Sequence, residues 1–259
     1  MLNVDVFGAG PDLVLLHGWG MHSGIMTPWA QELAASFRVI GVDLPGHGNS
    51  PHAGLSQLSD WADAVLDVVP ADAWWLGWSL GGLVALEAAQ RKPGNLRGAL
   101  LMASTPKFVA APDWPAAVDG QVFDQFAQQL QQDVDRTLLR FVSLQVRGAD
   151  RSGQTLRRLR AALHARPRAD AEALRIGLGF LKHADMRHVL AGAQLPLFWL
   201  LGERDTLVPA QLSAMLPRHR TKVINGAGHA PFLSHPQQCA EQIRQWLPGR
   251  HECSEYAAN

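Results

Sequence analysis

The sequence predicts an α/β fold: a mostly parallel central sheet with helices on both faces and an all-helical insertion. Three observations predict it. Short unbroken apolar runs recur along the chain, each bounded by turn residues. Helix-like segments lie between several of them. From about residue 110 to 195 the alternation stops, and the chain reads as helix throughout. Unbroken apolar runs of strand length suit strands buried on both faces, and helices alternating with them cover a parallel sheet.

The runs, in order, are LVLLH at 13–17, RVIGVDLPG at 38–46, WWLGWS at 74–79, LRGALLMAS at 96–104, LPLFWLLGERD at 195–205 and TKVINGAGH at 221–229. Residues 55–69 carry apolar residues at helical spacing, with Ser56 as candidate N-cap. Residues 80–91 are rich in Ala and Leu and stop before Pro93. Segments 209–216 and 236–247 both open on proline, which is favoured in a first helical turn. The insertion is dominated by Gln, Ala, Leu and Arg, and it reads as a lid over the sheet. The expected division is a core at 1–109 and 191–247, a helical lid at 110–190 and a polar tail at 248–259.

Composition narrows the function classes. The chain has 259 residues, 47% of them apolar, enough for one large domain with a full core. Lys plus Arg equals Asp plus Glu, 23 each, so no global field attracts nucleic acid or an anionic membrane. The two cysteines, Cys239 and Cys253, form no disulfide framework and no CxxC, which fits a reducing compartment. The opening residues have neither a basic stretch nor a long apolar one, and no apolar run reaches membrane-spanning length. A soluble, cytoplasmic monomer is expected, with neither nucleic acid nor membrane as partner.

The chemistry gathers at strand ends. Gly77-Trp78-Ser79-Leu80-Gly81 matches G-x-S-x-G between an apolar run and a helix-like segment. In that context the motif reads as a nucleophile elbow with Ser79 at a helix N-terminus, although a plain strand-to-helix turn would also use a small polar residue. A serine hydroxyl needs a base. His229 stands in the glycine-containing loop after the last strand, while His235 reads as structural. The base needs a carboxylate to fix its tautomer. Asp205 follows the preceding strand by a short loop; Glu203 is its rival and is expected to face solvent. Asp43, before PGHGNS, reads as a turn organiser. The backbone N–H groups of Trp19, in HGWG, and Leu80 can form an oxyanion hole, with His17 shaping the loop. A neutral imidazole is required, so activity should fall in acid. No metal cluster, phosphate-binding glycine loop or dinucleotide fingerprint is present in the sequence, so no metal or cofactor is expected.

These motifs bring a family into view. LVLLHGWG, VDLPGHGNS, WLGWSLGGLVAL, RFVSLQ and GHAPFLSHP make the chain resemble the α/β-hydrolase superfamily over nearly its whole length. Within it, HGWG with GWSLGG and FVSLQ looks like the pimeloyl-acyl-carrier-protein methyl ester carboxylesterases of biotin synthesis. The resemblance implies an esterase releasing methanol from its carrier-bound substrate. Ser79 would be nucleophile, His229 base and then acid, Asp205 its orienter, and Trp19 and Leu80 the oxyanion hole. Phe141, Val142, Ser143, Leu144 and Gln145 would line the acyl channel; without the resemblance, Phe141 reads as lid core. The implied partner is an acyl carrier protein bearing pimeloyl methyl ester, which is acidic. Nine arginines fall between Arg136 and Arg168, with Asp150 the only acid among them, a local basic patch. Arg136, Arg140 and Arg157 flank the channel segment and are the expected carrier contacts. A broad short-acyl esterase, a lactonase or a C–C hydrolase would share the triad. A non-catalytic binding protein on the same fold would keep its function without Ser79.

Overall fold

The structure, a computed structural model, describes residues 1–247; the expected polar tail and Cys253 lie outside the described residues. Seven strands form one sheet: β1 (Val4–Phe7), β2 (Asp12–Leu16), β3 (Arg38–Val42), β4 (Ala73–Trp78), β5 (Leu96–Met102), β6 (Leu197–Gly202) and β7 (Thr221–Ile224). Their order is β1-β3-β2-β4-β5-β6-β7, parallel throughout except for β1, which runs antiparallel to β3.

Successive side chains of each strand point to opposite faces, and the two halves of the core show it. Val14, Leu16, Trp75, Leu101 and Trp199 belong to one apolar cluster. Leu13, Leu15, Trp74, Leu76, Leu100, Phe198 and Leu200 belong to the other. The first face is covered by α2 (Leu58–Leu66) and α3 (Leu80–Arg91), through Trp61, Val65, Leu83 and Leu86. The second is covered by α1 (Thr27–Leu33) and α10 (Pro236–Trp246), through Trp29, Leu33, Cys239 and Ile243. A strand flanked by helices on both sides has no polar face, which is why these runs are unbroken.

Between β5 and β6 the chain forms α4 (Gly120–Gln132), α5 (Val134–Gln145), α6 (Ser152–Leu163), α7 (Ala171–His183) and α8 (His188–Gly192). Asp119, Asp133 and Asp170 cap α4, α5 and α7 by accepting backbone N–H bonds. A short α9 (Pro231–Ser234) precedes α10.

Three local expectations differ from the structure. Helix α2 begins at Leu58, not after Ser56: Gln57 is the N-cap, and Asp60 reaches back to the Gln57 N–H at 2.9 Å. This reciprocal pair satisfies two end donors at once, which a lone serine does not. Residues 210–215 form a 3-10 turn, Ala210–Met215, rather than an α-helix. Strand β1 was not expected at all. It is only partly buried, and it exists by pairing Val4 with Val42 and Val6 with Ile40 at the sheet edge.

Candidate functional site

The site lies at the carboxyl ends of β2, β4, β6 and β7, where neighbouring parallel strands leave a crevice. Ser79 follows β4 and is the N-cap of α3, with φ +55° and ψ −117°. This left-handed conformation is strained for a residue with a Cβ, so the surroundings must enforce it. They do so through close packing. A Cβ on Gly77 would fall on the Gly81 backbone, and one on Gly81 would fall against the carbonyls of Leu16 and His17. Ser79 N–H donates to Met102 O at 3.0 Å, and Ser104 Oγ donates to Ser79 O at 2.7 Å. The turn is thus held from β5 on one side and from the end of β2 on the other.

His229 Nε2 lies 2.9 Å from Ser79 Oγ, and its Nδ1 lies 2.8 Å from Asp205 Oδ2. Asp205 as a carboxylate only accepts, so the proton sits on Nδ1 and Nε2 is free to accept from the serine. The other carboxylate oxygen, Oδ1, accepts from Leu207 N at 2.8 Å and Val208 N at 3.0 Å. The two loops are brought together by Glu203 N donating to Ile224 O and Arg204 N donating to Ala227 O. All three side chains are buried; Ser79 is 2% exposed.

Gly18 rests against Ser79: a Cβ there would lie 3.3 Å from the serine Cβ. The Trp19 N–H follows at once, and the Leu80 N–H opens α3 beside Ser79. Neither N–H donates to a protein acceptor among the described residues. The Trp19 indole is fully buried, donates to Leu174 O of α7 at 2.8 Å, and meets Phe141 edge-on at 4.8 Å. Chemically, this is a hydroxyl whose proton an oriented imidazole can take, beside two free donors that can stabilise an anion. Among the described residues no group of three or more His, Cys, Asp or Glu is arranged to hold a metal.

The sequence profile described as the alpha/beta hydrolase family matches residues 13–242. The chain belongs to the alpha/beta hydrolase family. It is 43% identical over 252 residues to a pimeloyl-[acyl-carrier protein] methyl ester esterase of Xanthomonas campestris pv. campestris, covering 95% of this chain and 98% of that one. The esterase of that name from Methylococcus capsulatus is 42% identical over 250 residues, with the same coverage. Among solved structures, an esterase from Exiguobacterium antarcticum superposes with a TM-score of 0.81 at 19% identity, covering 95% and 94% of the two chains.

Within this hydrolase, the residues picked from sequence separate into those the fold gathers and those it does not. Ser79, Asp205, His229, Trp19 and Leu80 meet at one point. Of the five residues expected along the acyl channel, Phe141 and Gln145 turn inward, 2% and 3% exposed. Val142 faces the other core cluster, and Ser143 Oγ donates back to Leu139 O at 2.8 Å. Leu144 is half-buried. Five consecutive residues of one helix cannot share a face, since each turns about 100° from the last. Gln145 has a second contact that sequence gave no sign of: its backbone carbonyl accepts the His229 N–H at 3.1 Å. Trp78 Nε1 likewise donates to His229 O at 2.6 Å. Glu203 is exposed, as expected, and its Oε2 also accepts from Gly226 N at 2.8 Å, which braces the histidine loop.

The arginine stretch is not one patch. Arg136 and Arg140 are exposed on α5 and line a groove of about 550 Å³ with Gln129, Gln132, Asp133 and Thr137. Arg140 also stacks over Phe126. Arg157 is exposed on α6. Arg151 and Arg158 instead donate to the Ser234 and Leu233 carbonyls, Arg168 lies 3.4 Å from Asp135, and Arg166 turns inward onto Asp5 and Asp43.

His17 shapes the loop beside Ser79. Its Nε2 accepts from Leu44 N at 2.9 Å, and its Nδ1 donates to Gly18 O at 2.8 Å. Burial, with His47 beside it, lowers its pKa to about 3, and burial lowers that of His47 to about 4. Both rings are therefore neutral in the folded hydrolase at neutral pH. In the unfolded chain each takes a proton near the ordinary value of about 6.5. Folded-state values lie below unfolded ones, so the stabilisation is present above about pH 6.5 and is lost as pH falls through about 4 for His47 and about 3 for His17. Calorimetry should find a melting temperature several degrees lower at about pH 4.5 than at neutral pH. His47→Gln should blunt that drop; an undiminished drop would exclude His47 as a source.

Proposed function

We propose that this hydrolase is a serine carboxylesterase that converts pimeloyl-acyl-carrier-protein methyl ester to pimeloyl-acyl carrier protein and methanol. The reading rests above all on identity of about 43% over nearly the whole chain to esterases of that name, together with a hydrogen-bonded Ser79–His229–Asp205 set. A nucleophile 2% exposed beneath α5 and α7 suits a thin acyl chain delivered end-on better than a bulky ester.

Ser79 Oγ attacks the methyl ester carbonyl as His229 Nε2 takes its proton. The Trp19 and Leu80 N–H groups stabilise the tetrahedral oxyanion. His229 then protonates the departing methoxide, methanol leaves, and water hydrolyses the acyl-serine by the same route. Asp205 holds the resting imidazole in the accepting tautomer and stabilises the imidazolium that exists between proton uptake and proton release. No step requires a metal or cofactor. The helical insertion acts as the lid, with Phe141 and Gln145 on the acyl path. Arg136, Arg140 and Arg157 receive the acidic carrier. The enzyme acts as a cytoplasmic monomer.

The test compares hydrolysis of the carrier-bound methyl ester with that of p-nitrophenyl butyrate. Fast cleavage of the first supports the assignment; cleavage of the small ester alone would reduce it to a general short-acyl esterase. Charge reversal of the three arginines, Arg136→Glu, Arg140→Glu and Arg157→Glu together, should lower kcat/KM for the carrier-bound ester by about 10- to 100-fold. Activity on p-nitrophenyl butyrate should stay within about twofold, because a small neutral ester needs no steering. An equal loss on both esters would point to damage of the lid rather than to docking.

A further inference from the structure

A second cluster of polar side chains is built beneath the segment joining α6 to α7. Arg166, in that segment, has a side chain only 16% exposed. Its Nη1 donates to Asp43 Oδ2 at 2.7 Å and to Ser23 Oγ at 2.9 Å, and its Nη2 donates to Asp5 Oδ2 at 2.5 Å. Asp43 is fully buried and also accepts from Ser23 N at 2.7 Å, Asn49 N at 2.9 Å and Asn3 Nδ2 at 3.1 Å. Ser23 Oγ donates in turn to Asp5 Oδ2 at 3.0 Å. Asp5 is present at this corner only because β1 pairs it opposite Gly41.

The place of this cluster matters more than its energy. The loop carrying the Trp19 N–H runs from His17 to Ser23. Its first end is held by Leu44 N donating to His17 Nε2, and Leu44 follows Asp43. Its last end is Ser23, held to Asp43 directly. Both ends therefore converge on the Asp43–Leu44 corner, and Arg166 closes that corner from the side of the insertion. Within the loop stand two glycines and a single backbone turn bond, Met21 N to Gly18 O at 3.2 Å. Such a segment has little stiffness of its own, whereas an oxyanion donor must be held to within about 0.5 Å. Two other ties reach the same loop from the insertion: His22 Nε2 donates to Ala162 O of α6 at 2.7 Å, and the Trp19 indole donates to Leu174 O of α7.

We propose that Arg166 is a positioning residue for the oxyanion loop: by joining Asp43, Ser23 and Asp5 it holds the Trp19 N–H against Ser79 and couples that donor to the α6–α7 segment. This rests on the reading of Ser79 as nucleophile and the Trp19 N–H as oxyanion donor. The planar guanidinium bridges three acceptors in one fixed geometry, which a single ammonium cannot reproduce. Arg166 touches neither substrate nor the reacting atoms.

The experiment uses the full-length enzyme with p-nitrophenyl butyrate, which bypasses carrier docking. Arg166→Met, Arg166→Lys and Ser23→Ala are compared with wild type, per mole of folded protein and with melting temperatures recorded. Butylboronic acid, whose adduct on the serine places a tetrahedral oxygen in the oxyanion hole, reports donor geometry directly. Arg166→Met should lower kcat by about 10- to 100-fold with KM within about twofold, and weaken boronate inhibition in proportion. Arg166→Lys should recover part of both. Ser23→Ala, which removes one hydroxyl and leaves the charges paired, should lower kcat by about three- to tenfold. Unchanged kcat and boronate affinity with only a lower melting temperature would overturn the proposal and leave Arg166 a brace for the buried Asp43. A rise in KM at constant kcat would overturn it too. Should Arg166→Met fail to fold, Ser23→Ala decides alone by the same two readouts. A wild type inactive on both esters would overturn the esterase reading, and this inference with it.

Discussion

Replacing Ser79 with alanine should lower kcat by on the order of 10⁵- to 10⁶-fold on either ester, with binding of the carrier-bound substrate unchanged. Among the described residues, the Ser79 hydroxyl is the group hydrogen-bonded to His229 Nε2. His229 Nε2, 2.9 Å away, would lose its proton donor without losing its place, since Asp205, the Gln145 carbonyl and the Trp78 indole still hold the ring and its backbone. What should survive is whatever the Trp19 and Leu80 N–H groups and substrate binding contribute. Retention of more than about a hundredth of the wild-type rate would remove Ser79 from the nucleophile's role. A companion variant separates chemistry from strain. At φ +55° a Cβ costs about 1–3 kcal/mol, and alanine keeps that Cβ. Ser79→Gly should be as inactive as Ser79→Ala yet melt about 2–4 °C higher for each kcal/mol of strain released.

How much of this could be read from the chain depends on what the sequence encodes locally. Strands β2 to β6 were legible because burial on both faces leaves unbroken apolar runs such as LVLLH and WWLGW. The span of α3 was legible because Ala and Leu fill it and Pro93 follows it. Ser79, Asp205 and His229 stood out because each closely follows a strand that ends in turn residues. Strand β1 was not legible, since a four-residue, half-buried edge strand carries no pattern apart from its partner. The fates of the arginines were hidden for a related reason. Arg157 on the surface and Arg166 in an ion cluster are alike in sequence, and only the path of α6 and α7 separates them. Likewise, helical rotation about α5 decided that Phe141 and Gln145, but not Ser143, turn inward.

Asp205→Asn should cost about 10⁴-fold in kcat with little change in KM, and the reason lies in the two halves of one carboxylate. Oδ1 accepts from Leu207 N and Val208 N, while Oδ2 accepts from His229 Nδ1–H. Asparagine has one acceptor oxygen to serve both. Facing the two backbone donors it satisfies more hydrogen bonds, so its NH₂ group turns toward His229. The ring must then accept at Nδ1 and carry its proton on Nε2, aimed at Ser79 Oγ. An imidazole in that tautomer cannot take the serine proton, although every heavy atom stands where it did. Nitrogen-15 NMR of the labelled ring should therefore place the proton on Nε2 in the variant and on Nδ1 in the wild type. Glu203→Gln is the control: Glu203 Oε2 braces Gly226 N, and an amide oxygen can accept that bond as well, so its loss should stay below about tenfold. Were Glu203→Gln the more damaging of the two, the carboxylate that orients His229 would have to be reassigned, and the short loop after β6 would be serving a different acid from the one its hydrogen bonds select.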